Sequence, residues 1–381
     1  MTNAVYINAI STVLPGAPVD NDSIENVLGM VAGKPSRAKK IILRSNGIKS
    51  RYYAIDPVTR RATHNNATLT AEAVRGLAKF GLNPDNIDLL ACGTSMPDQI
   101  MPGAAPMLHG ALKNPACEVV SLAGICLSGV MALKYAWLAV GGGDKRCAVV
   151  TAAENASAIM RGESFQAEIE EKIARLESRP ELQFDKDFLR FMLSDGAAAT
   201  WLSPLPTERG LALKIEWIEQ RSYAHLMPPC MYAGGEMENG RFRGWREYLP
   251  EGWAARGIFA VKQDVKLLNE HIVPLTVEQP LTELLAAGRF SPQEIDYFLP
   301  HYSSEFFRDR LYQGMKKVGC DISQNKWFTN LAYKGNTGSA SIFIILEELL
   351  SGGALRPGEK ILCYVPESGR FSSAFILASV V

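Results

Sequence analysis

No two of this chain's seven cysteines are spaced as CxxC, histidines number only five, neither charge is in excess, and no apolar run is long. Each lack closes a class of function. Cys92, Cys117, Cys126, Cys147, Cys230, Cys320 and Cys363 are odd in number and lack ligand spacing. That sets aside a disulfide framework and a zinc module. Several sit in strand-like apolar runs, as reduced core cysteines do, which points to a reducing compartment. Forty basic residues balance forty acidic ones, so no nucleic-acid partner is expected. No stretch approaches the roughly 18 apolar residues of a membrane helix. The N-terminus "MTNAVYINAISTVLPG" lacks a basic region followed by an apolar core. The expectation is a cytoplasmic protein with no membrane contact.

What is present is an ordinary globular composition, 47% hydrophobic and 21% charged over 381 residues. That is enough for two domains or one large duplicated one. Short apolar runs such as "AVYINAISTVL", "IDLLACGTS" and "RCAVVTAAE" alternate with helical stretches such as "TLTAEAVRGLAKFGL". The alternation predicts an α/β fold with largely buried sheets.

The chain also repeats itself. "LNPDNIDLLACGTS" (82–95) resembles "FSPQEIDYFLPHYS" (290–303), matching Pro84 with Pro292, Ile87 with Ile295 and Asp88 with Asp296. "LAGICLSGVMALKYAWLAVGGG" resembles "LAYKGNTGSASIFIILEELLSGG", matching Leu122 with Leu331, Ala123 with Ala332 and Gly129 with Gly338. Two similar halves, 1–205 and 206–381, are expected to pack about a pseudo-twofold axis. The first half carries a charged helical insertion at about 158–190. Residues 221–256, rich in Met, Pro, Gly, Tyr and Trp, form either a loop near a substrate tunnel or subunit contact, or a plain surface excursion.

Cys126 precedes an amphipathic helix. Unpaired N–H groups and the helix dipole there would favour thiolate and lower its pKa. A buried, unreactive helix-start cysteine fits the same letters. His301 follows "IDYFLP", just past the C-terminal end of a strand, where α/β proteins place reactive groups; taken alone it reads equally as structural. "GNTGSAS" (335–341) is a tight turn opening a helix, and Asn336 there could offer an amide N–H to an oxyanion or simply serve the turn. The duplication brings the three points together, as a nucleophile with two donors able to stabilise a thioester enolate.

With these residues in hand, the chain resembles the thiolase-fold condensing enzymes, specifically the β-ketoacyl-acyl-carrier-protein synthase III branch. "SNGIKSRYYA", "LACGTSMPDQIMPGAAPMLHGALK", "MLSDGAAATWLSP", "LPHYSS", "GNTGSAS" and "LRPGEKILCYVPESGRFSSAFILA" resemble its segments in order. The resemblance implies a five-layer αβαβα thiolase fold with internal duplication and usually a homodimer. It implies a catalytic cysteine at Cys126, histidine at His301 and asparagine at Asn336. An acyl group would pass to Cys126 and be attacked by the carbanion of a second thioester, carried by coenzyme A or an acyl carrier protein. No metal or redox cofactor is implied. Backbone N–H groups of Cys126 and the Gly369 turn would form an oxyanion hole.

Two departures stand out. The family's glycine-rich C-terminal loop reads "ESGRF" (367–371), and the strand "CAVVTAA" ends in Glu154. With "DNDSIENVLG" and "RAKKIILRSNGI", they resemble ketosynthases that make dialkylresorcinols or 1,3-cyclohexanediones from an acyl and a β-ketoacyl unit. Glu154, its pKa raised by burial, is a candidate base for ring closure; a strand-end carboxylate paired with an arginine is the alternative. Arg44, Lys49, Arg51, Arg161 and Arg241 are candidate phosphate contacts, or plain surface charge. A plain initiating synthase using a malonyl carrier protein, and a noncatalytic partner subunit, are the competing readings. A thiolase would need a second catalytic cysteine near the C-terminus, and Cys363 lies inside the strand-like "KILCYV".

Overall fold

A computed structural model describes residues 3–165 and 187–381. Most of the expected insertion at 158–190 falls on 166–186, outside the described residues. Nine strands form one mixed sheet: β1 (Tyr6–Val13), β2 (Leu89–Thr94), β3 (Glu118–Ala123), β4 (Ala148–Glu154), β5 (Gly196–Ser203), β6 (Leu213–Ser222), β7 (Tyr297–Pro300), β8 (Lys360–Glu367) and β9 (Ser372–Val380). Their order is β7-β8-β9-β6-β1-β5-β4-β2-β3.

That order is one pattern written twice. In the first half β2 pairs in parallel with β3 and β4, then β4–β5 and β5–β1 run antiparallel. In the second half β7–β8 is parallel, then β8–β9 and β9–β6 are antiparallel. The counterpart of β3 shrinks to a single parallel bridge between Phe298 and Trp327. Within the sheet the halves meet at β1 and β6, through the pairs Tyr6 with Lys214 and Ile7 with Leu213.

The matched aspartates show why the repeated letters recur. Asp88 accepts the backbone N–H groups of Arg146 and Cys147, at 2.8 and 3.1 Å, where β4 begins. Asp296 accepts the N–H of Lys360 at 2.9 Å, where β8 begins. Both aspartates also donate their own N–H across the same gap, to the carbonyls of Cys147 and Lys360. Pro84 and Pro292 each open a short 3-10 turn before their strand, a position where the missing N–H costs nothing.

Helices α1 (Asn66–Gly76) and α2 (Ala104–Leu112) cover the outer face of the first half. Helices α4 (Val265–Val273), α5 (Gln279–Ala286) and α6 (Arg308–Lys317) belong to the outer layer of the second. Between the halves lie α3 (Ser128–Gly141) and α7 (Ser341–Ser351). The result is five layers, αβαβα. Both middle helices are mostly apolar; α7 is buried along most of its length, while α3 leaves Tyr135 and Leu138 exposed. Their starts nearly touch: a Cβ on Gly129 would lie 2.7 Å from the Ser339 carbonyl and 2.8 Å from the Phe343 ring. Only glycine permits that approach, and it brings Cys126 and the Asn336 turn into one neighbourhood. No helix of the described residues is long and apolar enough to cross a membrane.

Candidate active site

Cys126 occupies the turn between β3 and α3. Ser128 closes that turn by donating its N–H and hydroxyl to the Ile125 carbonyl, at 3.1 and 2.9 Å. The expectation of a depressed thiol pKa is corrected here. Burial pushes the Cys126 thiol up, and the carboxyls of Glu154 and Glu367 push it further. The backbone N–H contribution is present and smaller. Two acids beside a desolvated sulfur outweigh one helix start, so the resting group is a thiol and its reaction needs a proton acceptor.

His301 follows β7, as the sequence indicates. Its backbone N–H is held by the Tyr364 carbonyl at 2.8 Å, and the residue is 3% exposed. Its ring has no hydrogen-bond partner among the described residues. Burial lowers its pKa to about 4, so the imidazole is neutral and carries one donor and one acceptor. Cys126 and His301 line the same small cavity, of about 50 Å³.

Its other walls include Leu268, Ile272, Val277, Phe307, Leu311 and Tyr364. That mixture of apolar walls and few convergent polar groups suits a small-molecule site.

Asn336 is 3% exposed and sits in the turn before α7. Its Oδ1 accepts the Gly338 N–H at 2.9 Å. A carbonyl oxygen must occupy that place, which fixes the amide orientation and leaves Nδ2 with no partner among the described residues. Its backbone is pinned across the halves: its N–H goes to the Met192 carbonyl, and its carbonyl takes the Ser194 N–H at 2.8 Å.

Glu154 ends β4 and pairs with no arginine among the described residues. Its Oε1 accepts four donors: the N–H and Oγ of Ser95 at 2.9 and 2.7 Å, and those of Ser339 at 3.2 and 2.6 Å. Burial raises its pKa, and the two serines work against that rise. A Cβ on Gly338 would lie 2.8 Å from the Glu154 Cγ. Glu154 therefore ties the first half to the turn that presents Asn336. It is not among the residues lining the Cys126–His301 cavity.

Two other expectations are corrected. Gly369 cannot offer its N–H to an oxyanion in this arrangement, because Glu367 Oε1 already accepts it at 2.6 Å. The change from a glycine-rich loop to "ESGRF" placed an acceptor two residues away. Arg51 is fully buried, with guanidinium bonds to Asn21 Oδ1 at 2.6 Å and the Phe191 carbonyl at 2.7 Å. It braces the interior and reaches no phosphate. Arg44 and Lys49 are exposed, and Arg241 is paired with Glu247. Arg161 is partly buried, its Nε without a partner.

The sequence reading missed Ser95, Ser339, Ser368 and the role of Glu367. Ser95 and Ser339 stand in quoted motifs, but no spacing shows that they share one carboxylate. The segment 221–256 abuts the cavity rim. The Cys230 N–H donates to the Gly369 carbonyl at 2.7 Å, and a hairpin of Gly235–Glu238 with Arg241–Gly244 follows.

One titration checks this electrostatic picture. The unfolded histidine takes a proton near pH 6.5 and the folded one only near 4. Stability is therefore fully present above about 6.5 and falls as pH drops toward 4, by about 3 kcal/mol. Nitrogen-15 NMR of labelled histidine should show one imidazole still neutral at pH 5, and it should disappear in His301→Asn. A His301 signal titrating near 6.5 would refute it.

Comparisons with known proteins agree with the geometry. Residues 285–377 match the family model "3-Oxoacyl-[acyl-carrier-protein (ACP)] synthase III C terminal". The chain is 25% identical over 373 residues to a β-ketoacyl-[acyl-carrier-protein] synthase III of Xanthomonas oryzae pv. oryzae, 95% of each being covered. A protein of the same name from Symbiobacterium thermophilum is 25% identical over 294 residues, 76% of each chain. Among solved structures, AbyA1, a tetronic acid condensing enzyme, superposes with a TM-score of 0.73 at 21% identity, covering 98% of this chain and 99% of that one. Xanthomonas campestris OleA with bound lauric acid and lauroyl-CoA gives 0.72 at 19% identity, with complete coverage of both. With the duplicated five-layer architecture, these matches give the chain a thiolase-type fold similar to that of the β-ketoacyl-[acyl-carrier-protein] synthases III and related condensing enzymes.

Proposed function

We propose that the chain joins an acyl unit on Cys126 to a β-ketoacyl thioester, then closes a second carbon–carbon bond to give a dialkyl cyclohexanedione or resorcinol precursor. The observation that carries the condensation is the shared cavity: Cys126 from one half and His301 from the other, facing apolar walls. The first thioester's carbonyl is attacked by the Cys126 sulfur. A ring nitrogen of neutral His301 takes the thiol proton and returns it to the departing carrier thiol. The second thioester then needs its enolate oxygen held, and His301 N–H and Asn336 Nδ2 are the two donors free to hold it. The Cys126 N–H, which has no backbone acceptor among the described residues, is left for the acyl carbonyl.

Ring closure asks for a further proton acceptor. Glu154 is the proposed group, acting through Oε2, since Oε1 is fully engaged. The carrier is an acyl carrier protein or coenzyme A, with exposed Arg44 and Lys49 as phosphate contacts. Two thiolase-like units, 1–205 and 206–381, supply the cysteine and the His–Asn pair respectively. A homodimer is supported by edge strand β3, whose Val119, Val120 and Leu122 are half-buried, and by the exposure of Ile100, Met101 and Leu138. The relatives' name favours one other reading, a plain synthase III that takes malonyl carrier protein.

Competition separates the two. The protein receives a medium-chain acyl thioester with equal malonyl and β-ketoacyl carrier-protein thioesters, and released masses are read. A cyclic product holding both chains is expected. A linear β-ketoacyl product from malonyl would replace this reading with the plain synthase.

A further inference from the structure

The cavity at Cys126 and His301, of about 50 Å³, holds roughly four water-sized groups. That is the reacting end of a β-ketoacyl thioester, C1 to C3 with an oxygen, and not its alkyl tail. A 3-oxo oxygen bound there lies inside the walls, where a carbonyl without a donor is costly. Donors in those walls are few. His301 is committed to the enolate oxygen. The Tyr302 hydroxyl meets Glu305 at 3.0 Å and Arg308 at 3.1 Å. The Tyr364 hydroxyl is paired with Thr276 at 2.7 Å. Among the described residues the wall holds no lysine or arginine, and two serines are left, Ser303 and Ser368.

Ser368 is the one with an oriented hydroxyl. It follows β8, and its neighbour Gly369 lies against Ile125, the residue before Cys126: a Cβ on Gly369 would come within 2.7 Å of the Ile125 Cδ1. Met231 and Gln263 face each other across a two-stranded ribbon, and both touch this serine. Ser368 Oγ accepts Gln263 Nε2 and donates to the Met231 sulfur, each at 3.4 Å. A thioether is a weak acceptor, so the hydroxyl proton is free to turn to a better one. Gln263 is 7% exposed, and its Oε1 has no partner among the described residues. A buried amide oxygen left unpaired is rare where packing alone is served; here the carboxamide is spent on holding Ser368. The Ser303 hydroxyl makes no hydrogen bond among the described residues. Resting on the proposed β-ketoacyl substrate, we propose that Ser368, oriented by Gln263, donates to the 3-oxo oxygen of the second thioester and so selects a β-ketoacyl chain over one without that oxygen. A site built round such a bond rejects the analogue that lacks it.

Binding separates this role from catalysis. The full chain carrying Cys126→Ala is the background, because it cannot be acylated. The probes are two pantetheine amides, 3-oxooctanoyl and octanoyl, in which nitrogen replaces the thioester sulfur and blocks transfer. Calorimetry should show the 3-oxo amide binding about tenfold more tightly or better. Adding Ser368→Ala should bring the two amides within about twofold of each other, with the octanoyl amide bound as before. Ser368→Thr, which keeps the hydroxyl, should keep the preference. A preference that survives Ser368→Ala, or that the background lacks, overturns the proposal. So does weaker binding of both amides by Ser368→Ala, which would make the serine a support for the wall, and so does a preference lost in Ser303→Ala alone. A wild-type protein that acylates but makes product only from malonyl defeats the substrate reading itself, and is recognised before any variant is made.

Discussion

Cys126→Ala should take up no acyl group and form no condensed product, a loss on the order of 10⁴-fold or more. The reason lies in the division of labour across the halves. In the proposed reaction His301 and Asn336, from the second half, supply donors and do not carry the acyl chain. Cys126 brings the one thiol among the residues lining the cavity. Removing its sulfur leaves the fold intact, since the turn is closed by Ser128 and Ile125, so thermal stability should scarcely move. A folded Cys126→Ala protein with substantial product would show that the acyl group never visits this cysteine.

Glu154→Ala should do the opposite kind of damage. Four donors converge on one oxygen, and alanine leaves the N–H and hydroxyl of Ser95 and Ser339 without their acceptor. Such groups are costly when buried, and a cavity adds to the cost. A loss of about 3 kcal/mol is expected, or about 4 °C in Tm for a chain of this size. Glu154→Gln keeps an oxygen for the serines, so it should stay near wild-type stability. If Glu154 is the cyclisation base, that same variant acylates Cys126 and condenses, but releases the uncyclised product. The pair separates two roles. A fall in Tm for alanine with normal cyclisation by glutamine would leave Glu154 a positioning residue for the Asn336 turn. An unchanged Tm for alanine would deny even that.

The duplication was legible because it rests on local rules. A proline opening a turn and an aspartate capping the gap between neighbouring strands must recur wherever the same strand crossing recurs, and Asp88 and Asp296 keep the pattern despite divergence around them. Cys126, His301 and Asn336 could be nominated for the same reason: each sits at a defined end of a repeated element. Other features were not readable, because they depend on pairing across the halves. No spacing brings Ser95 and Ser339 to one oxygen of Glu154. Arg51 looks like any surface cation in "KSRYYA", yet it lies beneath the Phe191 carbonyl. The thiol pKa was read from the helix start alone, and burial, helped by two acids distant in sequence, reversed its direction. The "ESGRF" departure was visible as letters; that its glutamate captures the Gly369 N–H needed coordinates.

The most direct test of the account is intact-mass measurement of the protein after brief exposure to an octanoyl thioester, with peptide mapping. The account expects one octanoyl group, on the peptide bearing Cys126, discharged when a β-ketoacyl thioester is added. An acyl group on another residue, or one on Cys126 that a second thioester leaves in place, would contradict it.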